Sequence, residues 1–243
     1  MGKRDQAFQW FEKGCRYDSL EPDSDKAVEA YRESLACDEE YADAYVNLGF
    51  IFLRRGRYDE ALRCFEKVVK LEPTNPEAYN NLGYAYETVE RTGSAKMMYR
   101  HALALDSGNI EAMINIAHVL ELEGDYHGAV SQFKSAITVN PGATAPHFCL
   151  AVLYDRHDMF DEAIEEYHHV LEIDGGYLKA IFNLGNIYVQ LGDYDRAVES
   201  YERVLRLDPD CVDAWNSLGS ISDEPRARAV FQRSFSSIFN TIP

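Results

Sequence analysis

Apolar and small residues recur along this chain at intervals of 34 positions. In one series an alanine stands at every step, and an aromatic residue follows each alanine four positions later. The alanines are Ala61, Ala95, Ala129, Ala163 and Ala197, and the aromatic residues are Phe65, Tyr99, Phe133, Tyr167 and Tyr201. Glycines keep the same interval at Gly49 and Gly83 and again at Gly185 and Gly219. Several series with one period indicate a protein built from stacked repeats.

Within each repeat the pattern predicts two helices joined by a short turn. In the repeat at 178–211, four residues have the i, i+3, i+4, i+7 spacing of one helical face, namely Ile181, Leu184, Gly185 and Tyr188. A Gly192-Asp193 turn and a second apolar stripe follow. Pro209 ends the second helix, because the residue before a proline avoids helical backbone angles. The small Gly185 and Ala197 are expected to let the two helices approach closely.

The repeated residues resemble those of the tetratricopeptide repeat (TPR) family. The second repeat shows them as Tyr45, Leu48, Gly49, Phe52, Tyr58, Ala61, Phe65, Val68 and Pro73. The resemblance implies an all-α fold, a right-handed superhelical α-solenoid of stacked helix-turn-helix repeats whose first helices line the concave surface. It places repeats at 7–41, 42–75, 76–109, 110–143, 144–177 and 178–211. Residues 212–243 are expected to form a divergent seventh unit of this single array, with a capping helix over 225–239.

An asparagine occupies the sixth position of four repeats, as Asn47, Asn81, Asn115 and Asn183. The resemblance places this position on the concave side, where a carboxamide can donate to and accept from the main chain of an extended peptide. The register is similar to the asparagine series in the TPR region of O-linked N-acetylglucosamine transferases, which holds peptide main chain. The alternative is that each amide only hydrogen-bonds a neighbouring repeat.

The fifth and ninth positions are expected to face the same groove, and most of their residues are apolar or aromatic. The candidate peptide-binding residues there are Phe11, Ile114, Phe148 and Phe182 at the fifth position and Phe50, Tyr84 and His118 at the ninth. Lys179 is a further candidate, since it relieves the acidic residues that border the groove. Such a surface suits a peptide anchored by hydrophobic side chains. The alternative is that some of these side chains pack between repeats.

Charge and composition narrow the class of partner. The net charge is −17, from 41 acidic against 24 basic residues, which disfavours a nucleic-acid partner and attracts a basic segment. The other interpretation of the acids is that they solvate helix surfaces. Five cysteines without a C-x-x-C pair, and a start that does not read as a signal peptide, predict a reducing, cytoplasmic location. No apolar run of about 18 residues occurs, so no direct membrane insertion is expected.

These features predict a non-catalytic scaffold that binds a protein or peptide partner, through a basic or hydrophobic segment, in the concave groove. The alternative is the substrate-recruiting TPR region of a larger enzyme, such as a protein glycosyltransferase. The chain has no H-E-x-x-H sequence, phosphate-binding loop or dinucleotide glycine loop. No catalytic residue, metal or cofactor is therefore predicted. The identity of the partner and the oligomeric state, including a homo-oligomer, stay open.

Overall fold

The computed structural model describes residues 2–221 together with Asp223, Pro225 and Arg228, and every regular element in this part of the chain is an α-helix. The prediction of an all-α fold is confirmed. The helices are α1 Lys3–Leu20, α2 Asp25–Cys37, α3 Ala42–Arg54, α4 Tyr58–Leu71, α5 Pro76–Thr88, α6 Thr92–Leu105, α7 Ile110–Leu122, α8 Tyr126–Val139, α9 Thr144–Arg156, α10 Phe160–Ile173, α11 Leu178–Gln190, α12 Tyr194–Leu207 and α13 Val212–Ser220.

The helices fall into two compact units, with the boundary between Val139 and Asn140. The first unit holds α1–α8 and the second begins with α9. Within each unit, every helix packs against the next helix along the chain. In the first unit α5 also touches α3 and α7 directly, so the first helices of three successive repeats are neighbours.

The core of each repeat is a ring on the second helix packed against a small residue on the first. Tyr99 and Tyr201 are completely or almost completely buried. A Cβ added to Gly83 would lie 2.5 Å from Cε1 of Tyr99, and one added to Gly185 would lie 2.6 Å from Cε1 of Tyr201. The expected close approach at Gly185 therefore exists, and an aromatic ring rather than a neighbouring backbone fills the space.

The turns between the two helices of a repeat contain a residue in the left-handed backbone region. Gly56, Gly124 and Gly192 have φ angles of 69°, 80° and 72°, and glycine adopts this region without steric cost. Three repeats use Asp23, Glu90 and Asp158 instead, with φ of 63°, 59° and 56°. The turn conformation thus recurs even where glycine does not.

The predicted seventh unit begins with α13, and most of its predicted capping helix lies outside the described residues. Of the range 225–239, only Pro225 and Arg228 are described. Across the described part of the chain, no helix combines the length and the apolar character needed to cross a membrane.

Replacing Gly83 with valine is expected to lower the free energy of unfolding by about 1–3 kcal/mol, because the side chain must displace the buried Tyr99 ring. Valine is chosen rather than alanine, because two other repeats already have an alanine at this position, as Ala117 and Ala151. The matched control is Gly93→Val on α6, where an added Cβ meets no described atom within 4 Å. Urea unfolding followed by circular dichroism measures both variants. An equal loss of stability in the two would contradict the close-contact explanation.

Candidate functional site

The four asparagines at the sixth repeat position lie at the edge of the core. Each is only partly buried, whereas the residue that follows it is buried, with 3–4% of its surface exposed. These buried neighbours are Leu48, Leu82, Ile116 and Leu184. The carboxamides are therefore neither enclosed in the core nor fully solvated. Whether each one can bind a ligand depends on the hydrogen bonds that it already makes within the protein.

Two of the four carboxamides are tied to the preceding repeat. Nδ2 of Asn47 donates to the hydroxyl oxygen of Tyr31 at 3.0 Å, and Nδ2 of Asn183 donates to that of Tyr167 at 2.8 Å. Both tyrosines belong to the second helix of the preceding repeat, 16 residues earlier in the chain. At these positions the amide connects neighbouring repeats, as the alternative interpretation of the sequence expected. We call Asn47 and Asn183 the tied pair.

The tyrosines in these contacts stay protonated. Burial raises the pKa of Tyr31, and the hydrogen bond from its hydroxyl to Sγ of Cys15, at 3.6 Å, raises it further. Burial likewise raises the pKa of Tyr167, although the bond from Asn183 acts in the opposite direction. A neutral hydroxyl can accept from the asparagine amide with a lone pair while its own proton remains in place.

Asn81 and Asn115 form no side-chain hydrogen bond within the described part of the chain, and we call them the open pair. The residue 16 positions before Asn81 is Phe65, which has no hydroxyl. The residue 16 positions before Asn115 is Tyr99, whose hydroxyl donates to Oε2 of Glu87 at 2.7 Å. Burial and this carboxylate raise the pKa of Tyr99. The open pair lies on α5 and α7, which are in direct contact.

The phenylalanines predicted at the fifth position pack against tyrosine rings. Phe148, for example, has ring centroids of Tyr167 and Tyr177 at 5.9 and 5.1 Å. Phe11 and Phe182 make similar contacts, with centroid distances between 5.2 and 5.8 Å. These three rings are partly buried, so much of their surface already has a partner inside the protein. All of these contacts lie within one repeat, so they differ from the packing between repeats that the sequence offered as the alternative. The role of these rings in peptide binding stays a prediction.

Among the predicted aromatic candidates, Tyr84 presents the largest exposed surface. It is 49% exposed, and its ring centroid lies 6.4 Å from that of Phe50. Phe50 in turn meets Phe65 edge-on at 5.1 Å and is partly buried. Tyr84 and the open pair lie on α5 and α7 of the first unit, where the structure brings candidate residues together.

The remaining predicted site residues contribute less to the group formed by Tyr84 and the open pair. His118 packs edge-on against Phe133 at 5.6 Å, and its Nδ1 lies 3.9 Å from Glu121. Ile114 is partly buried on α7. Lys179 is exposed on α11 of the second unit, and Phe148, Phe182 and Asn183 also belong to that unit.

The tyrosines that tie Asn47 and Asn183 were not recognised as part of the site from the sequence. A tyrosine 16 residues before the asparagine is a necessary signal, as in Tyr31 and Tyr167, but it is not sufficient, because Tyr99 stands 16 residues before Asn115 without bonding it. Other chemistry is sparse. No group of three or more His, Cys, Asp or Glu side chains in the described residues is arranged to hold a metal ion. None of the five cysteines, all of which are described, forms a disulfide, and burial raises the pKa of Cys64 to about 11.

Family models for the tetratricopeptide repeat match most of the described helices. A model described as TPR repeat matches residues 51–89 and 185–221, and two described as tetratricopeptide repeat match 30–63, 76–109 and 110–142. Together these matches cover more than half of the chain. The chain belongs to the tetratricopeptide repeat family. The fold is accordingly an all-α solenoid of TPR units.

Solved structures of other TPR-like chains resemble this one. MamA shares 25% identity over 66% of this chain and 94% of its own, with a TM-score of 0.56. PilF of Pseudomonas aeruginosa shares 17% over 90% of this chain and 100% of its own, with a TM-score of 0.68. YrrB, described as a TPR protein with an unusual peptide-binding site, shares 24% over 78% of this chain and 98% of its own, with a TM-score of 0.52. No curated protein matches the chain by sequence.

The tied and open asparagines are expected to differ in their effect on stability. Asn47→Ala removes a hydrogen bond to a buried tyrosine and should lower the free energy of unfolding by about 1 kcal/mol more than Asn81→Ala does. The two substitutions are matched, because both lie at the sixth position of adjacent repeats in the first unit. Urea unfolding at fixed pH measures the difference. Equal effects would show that the bond to Tyr31 contributes nothing to stability.

Proposed function

We propose that this TPR protein is a non-catalytic scaffold that holds an extended segment of a partner protein along the first helices of its repeats. The observation that carries the proposal is the open pair. Asn81 and Asn115 are partly buried, lie on adjacent helices and have no partner within the described residues, whereas Asn47 and Asn183 at the same repeat position are hydrogen-bonded. Carboxamides without a hydrogen-bond partner inside the protein can pair with the main chain of a bound peptide.

The spacing of the open pair fits an extended ligand. Packed helices lie about 8–10 Å apart, and an extended chain advances about 3.3 Å per residue. Asn81 on α5 and Asn115 on α7 would therefore meet main-chain groups about three residues apart. Each carboxamide offers one acceptor and two donor hydrogens, which complements the C=O and N–H of any peptide unit without regard to its side chain.

Neighbouring side chains indicate the kind of segment that would bind. The half-exposed ring of Tyr84, beside Phe50, offers an apolar contact for a hydrophobic ligand side chain. Glu77 and Glu111 are exposed in the first turns of α5 and α7. Together with the net charge of −17, they favour a segment that carries basic as well as hydrophobic residues.

The comparisons and the cysteines support the proposal in a general way. YrrB is an instance of this fold that has a peptide-binding site. Five cysteines without a disulfide fit a reducing compartment, so we place the protein in the cytoplasm.

Selection of peptides from a random dodecapeptide phage library tests the proposal. The double variant Asn81→Ala/Asn115→Ala should bind the selected peptides about 10- to 100-fold more weakly, because two hydrogen bonds are lost. Its melting temperature should stay close to that of the wild type, since neither amide has a partner in the protein. Titration calorimetry and thermal melting followed by circular dichroism measure the two quantities.

The matched control is the double variant Asn47→Ala/Asn183→Ala. It should melt at a lower temperature, because Tyr31 and Tyr167 each lose the bond from the asparagine amide, and should keep the affinity of the wild type. The proposal is wrong if the library yields no binding peptide, or if the selected peptides bind the Asn81/Asn115 variant as tightly as the wild type.

A further inference from the structure

One buried carboxamide on α5 has no hydrogen-bond partner. Asn80 is only 2% exposed, and neither its Oδ1 nor its Nδ2 is bonded to any group in the described part of the chain. The other buried polar residues are satisfied. Ser34 donates to the carbonyl of Ala7 at 2.8 Å, Ser24 accepts from the amide of Ala27, and His147 lies 2.6 Å from Glu166. Asn80 is therefore an exception that packing alone does not explain.

The same position in neighbouring repeats shows that the fold does not require an amide here. Asn80 is the fifth residue of its repeat, and the fifth residues of the repeats on either side are Val46 and Ile114. An apolar side chain of similar size would fill a buried site without leaving a donor and an acceptor unpaired. The amide thus lowers the stability of the free protein, which is expected of a residue retained for binding.

Tyr84 stands one helical turn after Asn80 on the same face of α5. Helical side chains lean toward the N-terminus, which in general directs a residue at this position toward the preceding turn. Its ring is half-exposed, and its centroid lies 6.4 Å from that of Phe50.

We propose that Asn80 is a specificity-determining residue that recognises the carboxamide of an asparagine or glutamine side chain in the bound segment, with Tyr84 as the movable cover. This inference rests on the proposed function, because it assigns the side chain that a groove-bound peptide inserts. A carboxamide fits because Asn80 leaves both an acceptor and a donor unpaired, and the ligand must supply one of each. A carboxylate supplies acceptors only, and a lysine supplies donors only.

The test combines Asn80→Val with a matched control, Ile114→Val, at the same position of the next repeat. Asn80→Val should raise the melting temperature by about 2–8 °C, because it removes an unpaired buried amide. The probe is again a random dodecapeptide phage library. Peptides selected on the wild type should share an asparagine or glutamine at one position, and changing that residue to leucine should weaken binding about ten-fold. On Asn80→Val this preference should vanish, whereas Ile114→Val should keep it.

The outcomes separate this inference from the proposed function. Selected peptides without a common carboxamide, or a lower melting temperature for Asn80→Val, would overturn the role of Asn80 and leave peptide binding by the groove intact. If the wild type selects no peptide at all, both are overturned. A preference for asparagine or glutamine that persists in Asn80→Val would assign the recognition to another residue.

Discussion

The contact between an aromatic ring on each second helix and a small residue on the first helix determines the rest of the structure. Because Tyr99 lies against Gly83 with no room for a Cβ, the two helices of the repeat are held at a fixed distance. A tyrosine in this position also reaches beyond the core. The hydroxyl of Tyr31, whose ring packs on Gly14, meets the carboxamide of Asn47 in the next repeat. The tyrosine at this position thus sets the packing inside its own repeat. It also determines whether the asparagine amide of the next repeat is available to a ligand.

This linkage explains why the sequence predicted the helices well and the site less well. The period of 34 residues and the buried alanine, glycine and aromatic series follow from packing that each repeat shares, so one register describes them all. Whether an asparagine is open depends on a residue 16 positions earlier on another helix. Phe65 could have been recognised from the sequence as lacking a hydroxyl. That Asn115 has no bond to Tyr99, whose hydroxyl donates to Glu87, could not be recognised, because it depends on where the side chains lie in space and not on their spacing in the sequence.

The aromatic candidates show the same limit. Phe11 and Phe148 were predicted to face the groove, which stays a prediction. Each also lies beside a tyrosine ring of its own repeat, since contact with another ring removes apolar surface from water. Tyr84 has no ring one turn earlier on its own helix, because that position is Asn80. Phe50 also lacks a ring one turn earlier, because that position is Val46, yet it is partly buried against Phe65. The contacts of each ring therefore decide its exposure, and the position number alone does not.

Three departures from the repeat pattern meet on α5. Asn80 is buried without a partner, Asn81 lacks the tyrosine bond that Asn47 and Asn183 make, and Tyr84 is the most exposed of the aromatic candidates. Repeat arrays are stabilised by nearest-neighbour contacts, so a deficit in one repeat is tolerated when the repeats on either side are well packed. The flanking repeats meet that condition with Phe65 and Phe133 fully buried. Deficits that arose by chance would be spread along the array. Their occurrence together on α5, in contact with the helix that carries Asn115, is the feature on which the proposed binding of a peptide segment rests.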